Sequence, residues 1–144
     1  MSPASEAWIL MGRMLHMEKK RLHTAASEFE LSPPQLTALR QLDAQAPLPM
    51  RELAERLHCD NSNVTGIVDR LESRGLVERR SADHDRRVKH LVLTADGAEL
   101  REQVDALLDR APEGFDRLSA EEQLTLREYA QHVSDRADYE LVLP

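Results

Sequence analysis

The stretch Asp60–Gly97 reads DNSNVTGIVDRLESRGLVERR, then SADHDRR, then VKHLVLTADG. Val64, Ile67, Val68 and Leu71 recur at i, i+3, i+4 and i+7, which is one face of a 3.6-residue helix. The opposite face carries Ser62, Thr65, Gly66, Asp69 and Ser73, flanked by Asn63 and Arg70. Small hydroxyl and amide side chains there leave room for another backbone to approach. Leu76–Arg80 and Val88–Thr94 are rich in branched residues and read as two strands around a polar loop tipped by Arg86 and Arg87. A polar-faced helix followed by a basic hairpin is the pattern of a surface that reads DNA.

The helix is expected over about residues 61–74, and the wing over about 81–87. The major groove admits one helix, and side chains in its N-terminal half reach base edges. Asn61, Ser62, Asn63 and Thr65 occupy that half, and Gly66 omits a side chain where the sugar-phosphate wall comes close. Arg70 and Arg74 complete the helical set of candidate DNA contacts. Free amides at the helix start are expected to face phosphate. Arg86 and Arg87 suit a narrow minor groove, with Asp85 holding Arg87 in direction. Asp69 is expected to orient arginines rather than touch bases.

Outward from this stretch the chain reads as helices. Trp8, Met11, Leu15, Leu22, Ala26 and Phe29 keep close to a helical period through a long first helix. Ser32-Pro33-Pro34-Gln35 opens a second, with Ser32 as cap, Pro33 at the first position and Gln35 reaching back. Ala46–Pro49 breaks it, with room for a very short strand at Leu48, and Met50–Leu57 forms a third. Gly75 ends the fourth in the left-handed position. Thr94 caps a fifth through Leu100, Val104, Leu107, Leu108 and Ala111, broken by Pro112 and Gly114, and Ser119 with Glu122 opens a sixth through Leu124, Tyr129 and Val133. The fold class is mainly α with a small β component (α+β), a winged helix-turn-helix core between long terminal helices. The terminal helices carry more apolar surface than such a core can cover. The simplest cover is a second copy of the chain.

At 144 residues the chain has the size of one domain. Its net charge of −7 conceals a gradient. Residues 1–60 carry seven basic and eight acidic side chains, 61–95 seven and five, and 96–144 five and thirteen. A mildly basic middle in an acidic protein orients the molecule on a polyanion. No apolar run approaches the ~20 residues that span a bilayer, and no basic segment precedes the short apolar run of the N-terminus. With a single cysteine and no disulfide, a cytoplasmic location is expected.

Other chemistry finds weaker support. Cys59, just before the reading helix, is expected to be a small packing residue rather than a redox sensor. Of the six histidines, His16 and His23 share a face but lack a metal-ligand pattern. Trp8, Met11, Met14 and Met17 suit either an effector pocket or packing and dimerisation, and packing is preferred. No nucleophile elbow, phosphate loop or acid/base pair suggests catalysis, and no cofactor or metal is expected.

The helix NSNVTGIVDRLESRGLVERR, the wing ADHDRR with its Asp85–Arg87 element, the closing LVLTADG and the preceding MRELAERL together resemble the multiple antibiotic resistance regulator (MarR) family of winged-helix transcription factors. The resemblance extends over nearly the whole chain, as one MarR-like domain over 1–144. It implies a DNA-binding lobe over 32–94 and dimerisation helices over 1–31 and 95–144. A homodimer would use Trp8, Met11, Leu15, Leu107, Leu108, Leu124 and Val133 at its interface. Each subunit would set its reading helix in a major groove and its wing in the adjacent minor groove of a pseudo-palindromic operator. The expected role is a repressor relieved by a small-molecule or stress signal. The alternative is a winged-helix module for protein–protein assembly with no operator of its own.

Overall fold

The computed structural model of the chain describes residues 1–81 and 89–136, which belong to two units, Met1–Leu108 and Asp109–Pro144. The first unit contains α1 (Pro3–Glu28), α2 (Pro33–Gln41), β1 (Leu48–Pro49), α3 (Met50–Arg56), α4 (Asn61–Ser73), β2 (Val77–Ser81), β3 (Lys89–Leu93) and α5 (Ala95–Leu108). The second contains a 3-10 turn at Phe115–Arg117 and α6 (Ala120–Arg136). The architecture is the mainly helical winged helix-turn-helix expected, in the expected order. Asp85, Arg86 and Arg87 lie outside the described residues.

Local chemistry explains where the helices begin and end. Ser32 caps α2: the Gln35 amide donates to its Oγ at 3.4 Å, and its own amide donates to Gln35 Oε1 at 2.9 Å. That reciprocal pair is why Gln35 is tolerated as a buried polar side chain. Helices α1, α3 and α4 all finish with two nested backbone hydrogen bonds. Leu31 donates to Ala26 and Glu30 to Ser27, Cys59 to Ala54 and His58 to Glu55, Leu76 to Leu71 and Gly75 to Glu72. Each ending requires one left-handed residue, and these are Glu30 (φ 55°), His58 (φ 49°) and Gly75 (φ 70°). The third was legible as a glycine. The other two place ordinary side chains where backbone sterics disfavour them.

The core gathers Leu36 and Leu39 of α2, Leu53 of α3, Val64, Val68 and Leu71 of α4, Val77 and Leu91 of the sheet, and Val104 of α5. The three-stranded antiparallel sheet has the order β1-β3-β2. Leu91 lies opposite both Leu48 and Arg79, and Val77 opposite Leu93. The start of α5 packs against the residue that follows α4. A Cβ on Gly97 would lie 1.9 Å from the Leu76 carbonyl oxygen, the same oxygen that accepts the Thr94 amide at 3.1 Å.

Two expectations need correction. Leu108, expected at a dimer interface, is 6% exposed and part of the core. Position 108 follows Val104 by four residues and so shares its inward face, whereas Leu107 points outward. The fifth helix, expected to run through Ala111, ends at Leu108, while the fourth ends at Ser73 with Arg74 as its cap residue, as its spacing indicated.

Helix α1 is 26 residues long, about 39 Å at 1.5 Å per residue. Its buried residues are Ala25 and Ala26 near its C-terminus. Trp8, Met11 and Leu15, on the same helical face, are exposed at 64%, 41% and 59%. In the second unit, Ser119 and Glu122 form the expected reciprocal cap. The Ser119 amide and hydroxyl hold the Glu122 carboxyl below the usual carboxylate range. Leu126, Tyr129 and Val133 are exposed on one face of α6. Leu124, nine residues before Val133, lies on the other side of the helix.

Replacing Gly97 by alanine should be severe, since backbone rather than a flexible side chain meets the new methyl group. We expect Gly97→Ala to lose roughly 3 kcal/mol, read as a lower urea midpoint at unchanged slope. A loss below about 1 kcal/mol would mean that α5 shifts freely on Leu76.

Candidate nucleic-acid interface

Helix α4 is held from one side and open on the other. Val64, Val68 and Leu71 are buried and Ile67 is half-buried, while Asn61, Ser62, Asn63, Thr65, Gly66, Asp69 and Arg70 are exposed. The residues that fold the helix and those available to a partner therefore separate by helical phase.

Asp60 starts the helix. Its Oδ1 accepts the Asn63 amide at 2.9 Å and the Ser62 hydroxyl at 2.6 Å. These bonds, the Ser62 hydroxyl foremost, hold its carboxyl below the ordinary value. Where free amides were expected to face phosphate, a carboxylate of the chain itself takes the Asn63 amide at the positive end of the helix. Thr65 Oγ1 donates to the Asn61 carbonyl oxygen at 2.8 Å. Ser73 Oγ donates to the Arg70 carbonyl oxygen at 2.8 Å, which turns this hydroxyl toward its own helix.

Gly66 sits within α4 with nothing within 4 Å of the position a Cβ would take. A glycine within a helix costs about 0.5–1 kcal/mol relative to alanine, and no intramolecular packing explains this one. Arg70 is exposed and makes no ion pair with a described residue. Arg74 has a different occupation from the one expected. Its Nη1 donates to the Phe29 and Glu30 carbonyl oxygens at 3.2 and 2.7 Å, tying the end of α4 to the end of α1.

Asp69 does orient an arginine, Arg79 of β2. Arg79 Nη2 lies 2.5 Å from Asp69 Oδ1, and Arg79 also pairs with Glu72 through its Nη1 and its backbone amide. The sheet is thus locked to the reading helix by two charge-assisted contacts. Sequence reading missed Arg79. The i, i+3 spacing of Asp69 and Glu72 was the available signal, since it places two carboxylates on one side of α4. On the hairpin, Lys89 Nζ donates to Ser81 Oγ at 2.7 Å.

Cys59 is half-buried against the core. Burial, and then the charge of Asp60, raise its thiol pKa, which disfavours the reactive thiolate. Among the described residues no cluster of three His, Cys, Asp or Glu side chains is placed to hold a metal. A cavity of about 450 Å³ between α2, β1, α3 and α5 is lined by Arg40, Asp43, Glu52, Arg56 and Arg101. Its arginines are already paired with carboxylates of the chain. No helix among the described residues is long and apolar enough to cross a membrane.

Two short helices joined by a tight turn, the second with an open polar face, followed by a hairpin against the same core, define a winged helix-turn-helix nucleic-acid-binding protein. Residues 31–89 match the family model described as MarR family. The chain is 32% identical to the transcriptional repressor MprA of Escherichia coli (strain K12) over 137 residues, 90% of this chain and 78% of that protein. It is 31% identical to the uncharacterized HTH-type transcriptional regulator YfiV of Bacillus subtilis (strain 168) over 65% of this chain, a match spanning 58% of that protein. The crystal structure of wild-type MarR (apo form) from E. coli superposes with a TM-score of 0.70 at 28% identity, covering 85% of this chain and 94% of that one. The chain belongs to the MarR family, whose members are DNA-binding transcriptional regulators rather than enzymes.

Gly66 offers a test that separates folding from binding. Gly66→Ala should raise stability by roughly 0.5–1 kcal/mol while lowering DNA affinity about tenfold. Thermal melts and fluorescence anisotropy read the two effects. Higher stability with unchanged affinity would show that no backbone approaches this position.

Proposed function

We propose that the chain is a dimeric, sequence-specific DNA-binding repressor, relieved by a small-molecule or stress signal. The observation that carries this reading is the exposed face of α4, where Asn63, Thr65, a glycine with open space above it and an arginine without an ion pair to any described residue stand together. Asn61, Ser62, Asn63 and Thr65 face base edges in a major groove, and Arg70 meets phosphate. Arg86 and Arg87 of the wing enter the adjacent minor groove, with Asp85 directing Arg87. Residues 32–94 form the DNA-binding lobe within a single MarR-like domain.

A second copy of the chain covers the exposed apolar residues of the terminal helices. These include Trp8, Met11 and Leu15 on α1, Leu107 on α5, and Leu124 with Leu126, Tyr129 and Val133 on α6. A dimer places two reading helices on one face of a pseudo-palindromic operator. Similarity to the transcriptional repressor MprA supports repression over activation. Repression is steric, and release follows when an effector binds the DNA-incompetent spacing of the two helices more tightly than the competent one.

Operator selection from random DNA, followed by salt titration, tests the reading. Arg87→Ala should weaken binding on all sequences and reduce the slope of log affinity against log salt by about one for a lost phosphate contact. An unchanged slope and affinity would remove the wing arginine from the interface. Leu15→Glu, at an exposed position of α1, should shift sedimentation from dimer to monomer while the helical circular dichroism remains. A variant that still sediments as a dimer would exclude this face from the interface.

A further inference from the structure

Two hydroxyls on the reading face of α4 have already committed their protons. Ser62 Oγ donates to Asp60 Oδ1 at 2.6 Å, and Thr65 Oγ1 donates to the Asn61 carbonyl oxygen at 2.8 Å. A hydroxyl has one proton to give and two lone pairs to receive. With that proton directed inward, each side chain offers an incoming partner lone pairs alone. Both residues remain exposed, so those lone pairs are open to a ligand.

DNA presents its groups with definite polarity. Phosphate oxygens accept, as do guanine N7 and O6, adenine N7 and thymine O4. In the major groove the donors are the exocyclic amino groups, adenine N6 and cytosine N4. An acceptor-only hydroxyl is therefore mismatched to phosphate, guanine and thymine, and matched to adenine or cytosine. Reversing Ser62 would take a charge-assisted bond from a carboxylate. The same carboxylate stands at the start of α4 and repels a phosphate that would otherwise settle on the helix amides.

We infer that Ser62 and Thr65 determine operator specificity as hydrogen-bond acceptors for the amino groups of adenine or cytosine, and that Asp60 is the positioning residue that fixes the polarity of Ser62. This rests on the reading of α4 as the recognition helix. Asp60 acts twice, since it caps the helix and holds the Ser62 proton.

The test begins with operators selected from random DNA by the wild-type chain and by Ser62→Ala, Thr65→Val and Asp60→Gly. Wild-type operators should show adenine or cytosine at the positions whose preference disappears in Ser62→Ala and Thr65→Val. Where the base is adenine, substituting purine, which lacks the N6 amino group, should weaken wild-type binding about tenfold. The variant lacking the matching hydroxyl should lose less than about twofold at that position. Where the base is cytosine, 2-pyrimidinone serves as the corresponding probe. Asp60→Gly keeps a residue that the cap position tolerates but removes the carboxylate that holds the Ser62 proton, so the freed hydroxyl can donate and guanine or thymine should become acceptable at the Ser62 position alone.

Guanine or thymine at those positions in the wild-type operator would overturn the inference while leaving the proposed function intact. So would a loss in Ser62→Ala and Thr65→Val that is uniform over all sequences and accompanied by a shallower salt slope. Failure of the wild-type chain to select any operator would overturn both. A preference in Asp60→Gly identical to wild type would remove Asp60 from the role given to it.

Discussion

The carbonyl of Leu76 is the point on which the first unit turns. It accepts the Thr94 amide, and its oxygen lies so near the first turn of α5 that the residue facing it must be glycine. Thr94 completes the joint by donating its hydroxyl to the Gly75 carbonyl oxygen at 2.6 Å and receiving the Gly97 amide at 3.0 Å. The end of α4, the end of β3 and the start of α5 are thus fastened within one hydrogen-bonded knot. Arg79 adds a second fastening, from β2 back to Asp69 and Glu72 on α4. Because packed junctions resist continuous deformation, a rotation of α5 carries the reading helix with it. A movement of α5 would need no separate transmission to the exposed face of α4.

Formal charge describes this interface poorly. Arg51, Arg56, Arg79 and Arg80 all stand opposite glutamates or aspartates of the same chain. Among the described residues around α4 and the hairpin, Arg70, Arg74 and Lys89 are basic groups without a carboxylate partner, and Arg74 is already engaged by carbonyl oxygens. Phosphate meets few uncompensated cations there, and the electrostatic attraction is correspondingly local. Such an arrangement favours contacts that depend on correct placement over adhesion to any polyanion.

Much of the fold was legible because its signals are local. The 3.6-residue spacing of Val64, Val68 and Leu71, the Ser32–Gln35 cap and the glycine at position 75 each depend on a few neighbouring residues. What escaped was long-range or conformational. Nothing near Leu108 in the sequence distinguishes a core leucine from an interface leucine until the packing of α5 is known. Arg74 and Arg79 are both arginines beside a polar helix face, and only their three-dimensional partners reveal that one closes α1 and the other grips α4. Glu30 and His58 adopt left-handed backbone without the glycine that usually announces it. In the candidate interface, residue types were visible but proton directions were not, because a hydroxyl is donor or acceptor according to what stands beside it.

The division of α4 into an inner and an outer face has an evolutionary consequence. Val64, Val68 and Leu71 secure the helix without help from Asn63, Thr65 or Gly66. Substitutions among the outer residues can therefore accumulate with little risk to the folded state, and duplicated copies of such a gene can diverge in their targets on an unchanged scaffold. Asp60 is the exception, because the start of the helix and the chemistry of its surface share one carboxylate. Drift should be slowest there.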